Sequence, residues 1–305
     1  MDVAIVSSKK TKTITRFAGA FKRNGFSKAV FLNAKHLILI SKGGKTFVSE
    51  HKKDLSYYDS VLLLLEPSLA PLAEPLLSEI EKQKIFCNVS PNSYYTCGNE
   101  LLQLVQLEIA DCKTTKSVMA MDASAVSSHI ADIHTPVVFK SYSANKKTQT
   151  VVVETEKTLR SLLKSSKVQL DGVLVKELID ADLIECLVVG QEVFGLLRKW
   201  NGIENVSLAK ARPAVLTEWE KERAVQAANA CNCTIATVRM SKGFVTRVSP
   251  KADFLAFNQK IGVDVFDAIA KFYKDSLESK PARRKEGGFL DKLVRALEEW
   301  FYGRR

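Results

Sequence analysis

Short apolar runs alternate with helical patterns along the first third of the chain. Three runs have the length and composition of buried strands: residues 3–6, 61–65 and 85–89. Between them, residues 14–24 and 69–84 place apolar side chains on one helical face. After the third run, Ser-Pro-Asn-Ser at 90–93 predicts a turn. Strands that alternate with helices favour a sheet covered by helices, with parallel strands. Residues 1–92 are therefore predicted to form a small α/β domain with a mostly parallel sheet.

The middle of the chain changes to helices and paired strands. Helical periodicity occurs at 98–110, 158–163, 217–230 and 262–272. Strand patterns occur at 135–140, 151–154, 172–177, 184–189, 193–199, 234–240 and 243–248. Gly-Gln-Glu at 190–192 and Ser-Lys-Gly at 241–243 each separate two strands and predict hairpins. The pattern predicts two α+β units, which we divide at 93–166 and 167–279.

The last 26 residues, 280–305, are predicted to be a basic linker followed by an amphipathic helix. Its apolar face consists of Phe289, Leu290, Leu293, Val294, Leu297, Trp300 and Phe301. The polar face mixes acidic and basic residues, whereas helices that lie on membranes have a mostly basic polar face. The pattern therefore favours docking on a protein surface, either this protein's own or a partner's.

The composition excludes several classes of protein. The chain has 305 residues, of which 46% are hydrophobic, and no apolar run approaches the ~20 residues that span a bilayer. The first residues lack the layout of a signal peptide, so we expect a cytoplasmic protein without membrane contact. Cys231 and Cys233 are close in sequence but lack the spacing of a zinc site, and we interpret all six cysteines as ordinary thiols. The four histidines also show no ligand spacing.

The net charge of +11 is concentrated at the two ends of the chain. Residues 1–55 contain twelve Lys or Arg against three Asp or Glu, a net of +9, and residues 281–305 contain seven against four, a net of +3. A basic surface attracts anionic partners, such as a nucleotide, RNA or an acidic protein. The alternative is that these side chains are merely solvated.

Four stretches of the sequence occur in a distinctive order: residues 2–25, the Pro-Val-Val-Phe-Lys run at 136–140, residues 173–179 with 186–190, and residues 244–250 through 262–264. Together they resemble the RimK-like branch of the ATP-grasp superfamily. The resemblance implies an α/β and α+β ATP-grasp fold. It has an N-terminal pre-ATP-grasp domain at 1–92, a first lobe at 93–166 and a second lobe at 167–279. Residues 183–205 also resemble inositol polyphosphate kinases of the same fold.

This resemblance implies ATP-dependent formation of an acyl phosphate, which an amine or thiol then attacks. Magnesium ions would assist the reaction, held by one acid on the penultimate strand and a Glu-x-Asn pair on the last strand. This sequence carries Thr237, Arg247 and Ser249 at those positions. We therefore doubt magnesium and predict no metal ligand and no catalytic residue. Arg247 either replaces the positive charge of the metal or forms a salt bridge with Glu177 or Glu185.

Several other positions are candidates for contact with ATP. By the resemblance, Lys140 contacts phosphates, and the backbone of Glu177 and Ile179 contacts adenine. Lys176, on the same adenine-side strand, is a further candidate for contact with ATP. Further candidates are Lys146 and Lys147, which lie in the expected phosphate loop although it contains no glycine. Arg198 is also a candidate, and the alternative is that Arg198 and Lys199 are solvated charges of a hairpin. Asn99 and Glu100 stand where the family carries Asp-Lys, so an acid replaces a phosphate-binding lysine.

Three functions are compatible with these observations. The first is a non-catalytic ATP-grasp protein that binds a nucleotide or serves as a scaffold. The second is an active carboxylate–amine ligase whose metal ligands are displaced to Asp182, Glu185, Glu192 or Asp253. The third is an RNA-associated protein that uses the basic N-terminal domain. An inositol-phosphate kinase would need the same missing metal ligands.

Overall fold

The computed structural model describes residues 1–42, 45–50, 53–64, 69–143, 146–165, 172–199 and 208–279. The predicted linker and amphipathic helix at 280–305 lie outside the described residues. Within them, no helix is both long and apolar enough to span a membrane.

The N-terminal domain is a parallel sheet with helices on both faces. Its strands are β1 (Asp2–Ser7), β2 (Lys28–Asn33), β6 (Ser60–Leu63) and β7 (Phe86–Cys87), in the order β2-β1-β6-β7, and its helices are α1 (Lys12–Arg23) and α2 (Ala70–Lys82). Val3 and Ile5 face one side and Ala4 and Val6 the other, and all four are fully buried. The continuous apolar run of β1 is typical of a strand buried on both faces. The parallel pairing of β1 with β2 and β6, and of β6 with β7, confirms the predicted parallel sheet. A small antiparallel sheet, β3 (Ile38–Lys42), β4 (Lys45–Glu50) and β5 (Lys53–Asp54), lies beside it.

Two helices follow the domain, where we predicted a turn and one helix. Residues 90–93 were predicted as a turn, but they begin α3 (Pro91–Gly98). The turn prediction was wrong because Ser90 caps this helix: Ser90 and Ser93 form a reciprocal capping box, and Pro91 occupies the first turn. Asn99 then caps α4 (Glu100–Ile109) through the N–H groups of its first turn.

An antiparallel four-stranded sheet forms the next unit, in the order β10-β9-β11-β8. Its strands are β8 (Ser117–Ala120), β9 (Val137–Ser143), β10 (Lys146–Val153) and β11 (Gly172–Glu177), and α5 (Ala123–Ser127) and α6 (Glu156–Ser165) cover one face. Val137, Phe139, Val173 and Val175 point to these helices. The alternate residues of β9 and β11 therefore point to the opposite face.

A five-stranded antiparallel sheet forms the last unit, in the order β14-β13-β12-β15-β16. Its strands are β12 (Leu183–Val189), β13 (Glu192–Arg198), β14 (Arg212–Pro213), β15 (Ile235–Ser241) and β16 (Phe244–Ser249), which confirms both predicted hairpins. Helix α7 (Glu218–Ala230) covers one face, and α8 (Phe254–Ile261) and α9 (Val265–Glu278) cover part of the other.

Helix α4 packs on this last unit, although it lies within the predicted first lobe at 93–166. The buried side-chain amide of Gln103 donates to the carbonyl of Val248 at 2.7 Å and accepts from its N–H at 2.9 Å. Leu107 enters the core formed under α7. The lobe boundaries stay a prediction, but the start of α4 is fixed against strand β16.

One aromatic core joins the N-terminal domain to the last unit. The ring of Phe17 in α1 packs edge-on against Phe254 and Phe266, with centroid distances of 5.1 and 4.7 Å. Tyr273 of α9 is fully buried and donates its hydroxyl hydrogen to the carbonyl of Val61 at 3.0 Å. The two units therefore share a single core.

Candidate functional site

Two lysines lie side by side on the uncovered face of the four-stranded sheet. Lys140 of β9 stands opposite Leu174 of β11, and Lys176 of β11 stands opposite Val138 of β9, so both lysines are on one face. They are only 8% and 4% exposed. Lys140 is therefore not a surface lysine. A buried ammonium needs an anionic or carbonyl partner, because an unpaired charge is costly away from water.

That partner is Glu100, at the first position of α4. Its carboxylate accepts from Nζ of Lys140 at 2.7 Å and lies 3.4 Å from Nζ of Lys176. Asn99 caps the helix and fixes this position. The carboxylate thus lies between Lys176 and Lys140, the lysine that the resemblance assigns to ATP phosphates.

The environment of Glu100 is strongly cationic. Burial alone would raise the pKa of this carboxyl, but the charges of Lys176, Lys140 and Arg247 together lower it below its ordinary value. Three basic groups therefore act on one carboxylate. The excess positive charge makes the site attractive to an anion with more than one negative charge.

Lys176 also connects the two sheets. Its Nζ donates to the backbone carbonyl of Thr246 in β16 at 2.7 Å. The pairing of β15 with β16 shifts register between Arg239 and Met240, and this irregularity leaves Thr246 without an opposite residue. The lysine therefore links the sheet of β8 to β11 to strand β16, which carries Arg247.

The uncovered face of the four-stranded sheet and the strand β16 border one space, in which Lys140 and Arg247 line the same cavity, and we call this space the cleft. The positions expected to hold magnesium lie on its β15 and β16 side. Thr237 stands opposite Ser249, and Arg239 stands opposite Arg247, so these four side chains share one face of β15 and β16. Together with Glu185 and Lys251 they line a cavity of about 150 Å³. The hydroxyl of Thr237 already donates to the carbonyl of Lys251 at 2.9 Å.

These residues do not fit a magnesium ion. Magnesium prefers carboxylate and phosphate oxygens in an octahedral arrangement. Thr237, Ser249 and Arg247 supply two hydroxyls and a cation. Among the described residues, no group of three His, Cys, Asp or Glu side chains is placed to hold a metal ion.

Arg247 is exposed, and within the described part of the chain it forms no ion pair. The predicted alternative, a salt bridge with Glu177 or Glu185, was wrong for both acids. Glu177 accepts from the backbone N–H of His134 at 3.0 Å. The carboxylate of Glu185 is bound by Arg239 at 3.1 Å and by Arg198 at 3.4 Å.

Arg198 is not a solvated hairpin charge. It is 3% exposed, whereas its neighbour Lys199 is exposed as predicted. Burial has the largest effect on Arg198 and lowers its pKa, and the charge of Arg239 lowers the pKa further. The carboxylate of Glu185 acts in the opposite direction and raises it. Sequence periodicity could not show this burial, because it depends on Glu185 and Arg239 of neighbouring strands.

The segment after β11 pairs only part of its backbone with the rest of the described chain. The N–H of Leu178 donates to the carbonyl of Pro136 at 2.8 Å, and the carbonyl of Ile179 accepts from Ala181 at 3.0 Å. The N–H of Ile179 has no acceptor among the described residues. This N–H is therefore free to bind the edge of a base, as the resemblance implies.

A second cavity, of about 430 Å³, opens beside Glu100. Lys140, Tyr142, Thr150, Met119 and Arg247 line it, together with residues around the end of α3 and the start of α4. Lys146 and Lys147 belong to β10, but their side chains lie outside the described part of the structure. Their predicted phosphate contacts therefore stay predictions.

The displaced acids considered for an active enzyme do not converge. Glu185 is held by two arginines, and Asp253 accepts from the N–H of Ala256 as the cap of α8. Asp182 lies before β12, and Glu192 is exposed at the far end of the same hairpin. Within the described residues, these acids belong to no group of three His, Cys, Asp or Glu side chains that could hold a metal ion.

Several solved structures share the fold of this chain. The chain is similar to the ATP-grasp ligase PsnB complexed with precursor peptide PsnA2 and AMPPNP, at 16% identity and a TM-score of 0.66, covering 91% of this chain and 97% of that one. It is similar to macrocyclase MdnC bound with precursor peptide MdnA from Microcystis aeruginosa MRC, at 16% identity and a TM-score of 0.65, covering 90% and 100%. It is also similar to a RimK domain ATP-grasp protein from Sphaerobacter thermophilus DSM 20745, at 18% identity and a TM-score of 0.63, covering 89% and 99%.

The family model of the RimK-like ATP-grasp domain matches residues 99–272. This range is more than half of the chain, and it contains the four-stranded antiparallel and the five-stranded sheets together with Glu100, Lys140, Lys176 and Arg247. The chain therefore belongs to the RimK-like ATP-grasp family. No curated protein matches it.

Proposed function

We propose that this protein is a non-catalytic member of its family that binds a nucleotide in the cleft without magnesium. The observation that carries the proposal is the row of Thr237, Arg247 and Ser249 on the cleft face of β15 and β16. Where the reaction needs carboxylates to hold a divalent ion, this chain presents a guanidinium. Phosphoryl transfer depends on such ions for charge neutralisation and positioning.

The electrostatic cost of a metal at this place is large. Two unit charges about 4 Å apart interact by about 4 kcal/mol at an effective dielectric of 20, and a divalent ion doubles that value. Repulsion of this size outweighs what the hydroxyls of Thr237 and Ser249 contribute as neutral ligands. The same guanidinium attracts phosphate oxygens, because a planar cation binds them with two parallel hydrogen bonds.

A nucleotide fits the distribution of donors and charges. Lys140, Lys176 and Arg247 would contact its phosphates, and the free N–H of Ile179 would contact its base. The phosphates must displace the carboxylate of Glu100 from the two lysines. The similar PsnB structure contains AMPPNP, which agrees with a nucleotide as the ligand.

Lys140→Ala is expected to weaken ATP binding in the presence of EDTA by tenfold or more. Its ammonium would form a charge-assisted hydrogen bond to phosphate, worth about 1.5–3 kcal/mol. Isothermal titration calorimetry on the full chain measures the dissociation constant. The matched control is Lys199→Ala, which removes an exposed lysine of equal charge and is expected to leave the affinity unchanged.

Two results would contradict the proposal. One is absence of ATP binding by the wild-type chain in EDTA, which would leave a scaffold function without nucleotide. The other is equal weakening by Lys140→Ala and Lys199→Ala, since that would show a nonspecific effect of net charge. Thermal unfolding of each variant checks that the fold is retained.

A further inference from the structure

Three thiols meet beside the cleft. Cys97 lies in the last turn of α3, Cys231 follows the end of α7, and Cys233 precedes β15. The sulfur atoms of Cys97 and Cys233 are 3.6 Å apart, although 136 positions separate them in the sequence. The fold therefore brings together cysteines from two distant segments.

The turn that carries Cys233 is held in place by backbone hydrogen bonds. The N–H of Cys233 donates to the carbonyl of Ala228 at 2.9 Å, and the N–H of Asn232 donates to the carbonyl of Asn229 at 2.9 Å. Asn232 has φ of 56°, a left-handed conformation that asparagine tolerates. The sulfur of Cys233 consequently stays close to Cys97.

Solvent access differs between the three thiols. Cys97 is half-buried and lines the cavity of about 430 Å³, while Cys231 and Cys233 are 0% and 2% exposed. A small oxidant that enters the cavity would therefore reach Cys97 first. The two buried thiols lie behind it.

The surroundings of Cys97 favour its thiolate. Hydrogen bonds from the thiols of Cys231 and then Cys233 lower its pKa, and Gln103 and Arg247 contribute further. The hydrogen bond to Cys97, followed by burial, raises the pKa of Cys233. A thiolate is the reactive form of cysteine, so Cys97 is the nucleophile of the pair.

We infer that Cys97 is a peroxide-sensitive thiol that forms a reversible disulfide with Cys233. The Cys97 thiolate attacks a hydroperoxide: an S–O bond forms, the O–O bond breaks and hydroxide or alkoxide leaves. The sulfur of Cys233 then attacks the sulfenic acid of Cys97. The S–S bond forms as the S–O bond breaks, and the proton of Cys233 leaves with the hydroxyl as water.

The geometry allows this bond with small movements. A disulfide needs about 2.05 Å between the sulfurs, so they must approach by roughly 1.5 Å, which side-chain rotation can supply. The bond would tie the end of α3 to the segment that precedes β15. Cys97, its α3 end, lies three residues before Glu100. It would form whether or not the cleft binds a nucleotide, so its test is independent of the proposed function.

Peptide mapping by mass spectrometry tests the inference. The full chain is reduced, treated with hydrogen peroxide, blocked with N-ethylmaleimide and digested. We expect the peptide of Cys97 joined to that of Cys233, with two hydrogen atoms lost, and its release by dithiothreitol. In the double variant Cys231→Ser/Cys233→Ser, which removes both neighbouring thiols, we expect a sulfenic acid at Cys97 that dimedone traps.

Cys87 provides the matched control. It is also half-buried, but burial raises the pKa of its thiol to about 12. N-ethylmaleimide is expected to label Cys97 at least about tenfold faster than Cys87, and Cys87→Ser should leave the disulfide intact. The inference fails if peroxide produces no Cys97–Cys233 link in the wild-type chain, or if Cys97 reacts no faster than Cys87.

Discussion

Replacing Glu100 with glutamine is expected to destabilise the fold and to strengthen ATP binding at the same time. The carboxylate holds Lys140 and Lys176, which are 8% and 4% exposed. Removing one partner of a buried ion pair costs about 3–5 kcal/mol, because the remaining charges lose their compensation. The same change removes the anion that competes with phosphate for the two lysines, so we expect ATP affinity to rise by tenfold or more.

Chemical denaturation and calorimetry on Glu100→Gln measure the two effects separately. Glu108→Gln is the control, because Glu108 is an exposed carboxylate on the same helix. The control should change both quantities little, since exposed substitutions usually stay within about 0.5 kcal/mol. Weaker ATP binding by Glu100→Gln would show that the two lysines are structural and do not form the phosphate site.

The second large effect is expected at the aromatic core that joins the N-terminal domain to the last unit. Phe17 is fully buried and contacts the rings of Phe254 and Phe266. Phe17→Ala removes a large side chain from a closely packed site, where such changes cost about 3–5 kcal/mol. The free energy of unfolding, measured in urea, should fall by that amount.

Thr15→Ala is the control for this helix. Thr15 is exposed two positions before Phe17 on the same helix, and its hydroxyl donates to the carbonyl of Thr11 at 3.4 Å. Its loss should cost less than about 0.5 kcal/mol. A loss below 1 kcal/mol for Phe17→Ala would mean that α1 is not anchored by the shared core.

Most strands of the four-stranded antiparallel and five-stranded sheets, and both hairpins, were predictable because each depends on local pattern, whereas β8 and β14 were not predicted. Alternation with a period of two places Arg247 and Ser249 on the same face of one strand, and the two hairpin signals fix the pairing of β12 with β13 and of β15 with β16. The resemblance then assigned this face to the cleft. The composition of the magnesium position could therefore be predicted before the structure was known.

The contacts of the charged residues were not predictable, since they join segments far apart in sequence. Glu100 binds lysines 40 and 76 positions away, and Arg239 reaches Glu185 from 54 positions away. Cys97 and Cys233 met only in the fold, so the sequence indicated ordinary thiols. At α3, Ser90 and Pro91 are compatible with a turn and with a helix start, and only the capping contacts decide between them.

The most direct test of the account is the affinity for ATP with magnesium and with EDTA, measured by calorimetry on the same wild-type protein. Because the guanidinium of Arg247 stands where a metal-binding carboxylate is expected, we predict that ATP binds in EDTA and that magnesium does not increase its affinity. A rise in affinity of tenfold or more on adding magnesium, about 1.4 kcal/mol, would contradict this account and restore the metal-dependent enzyme as the best interpretation.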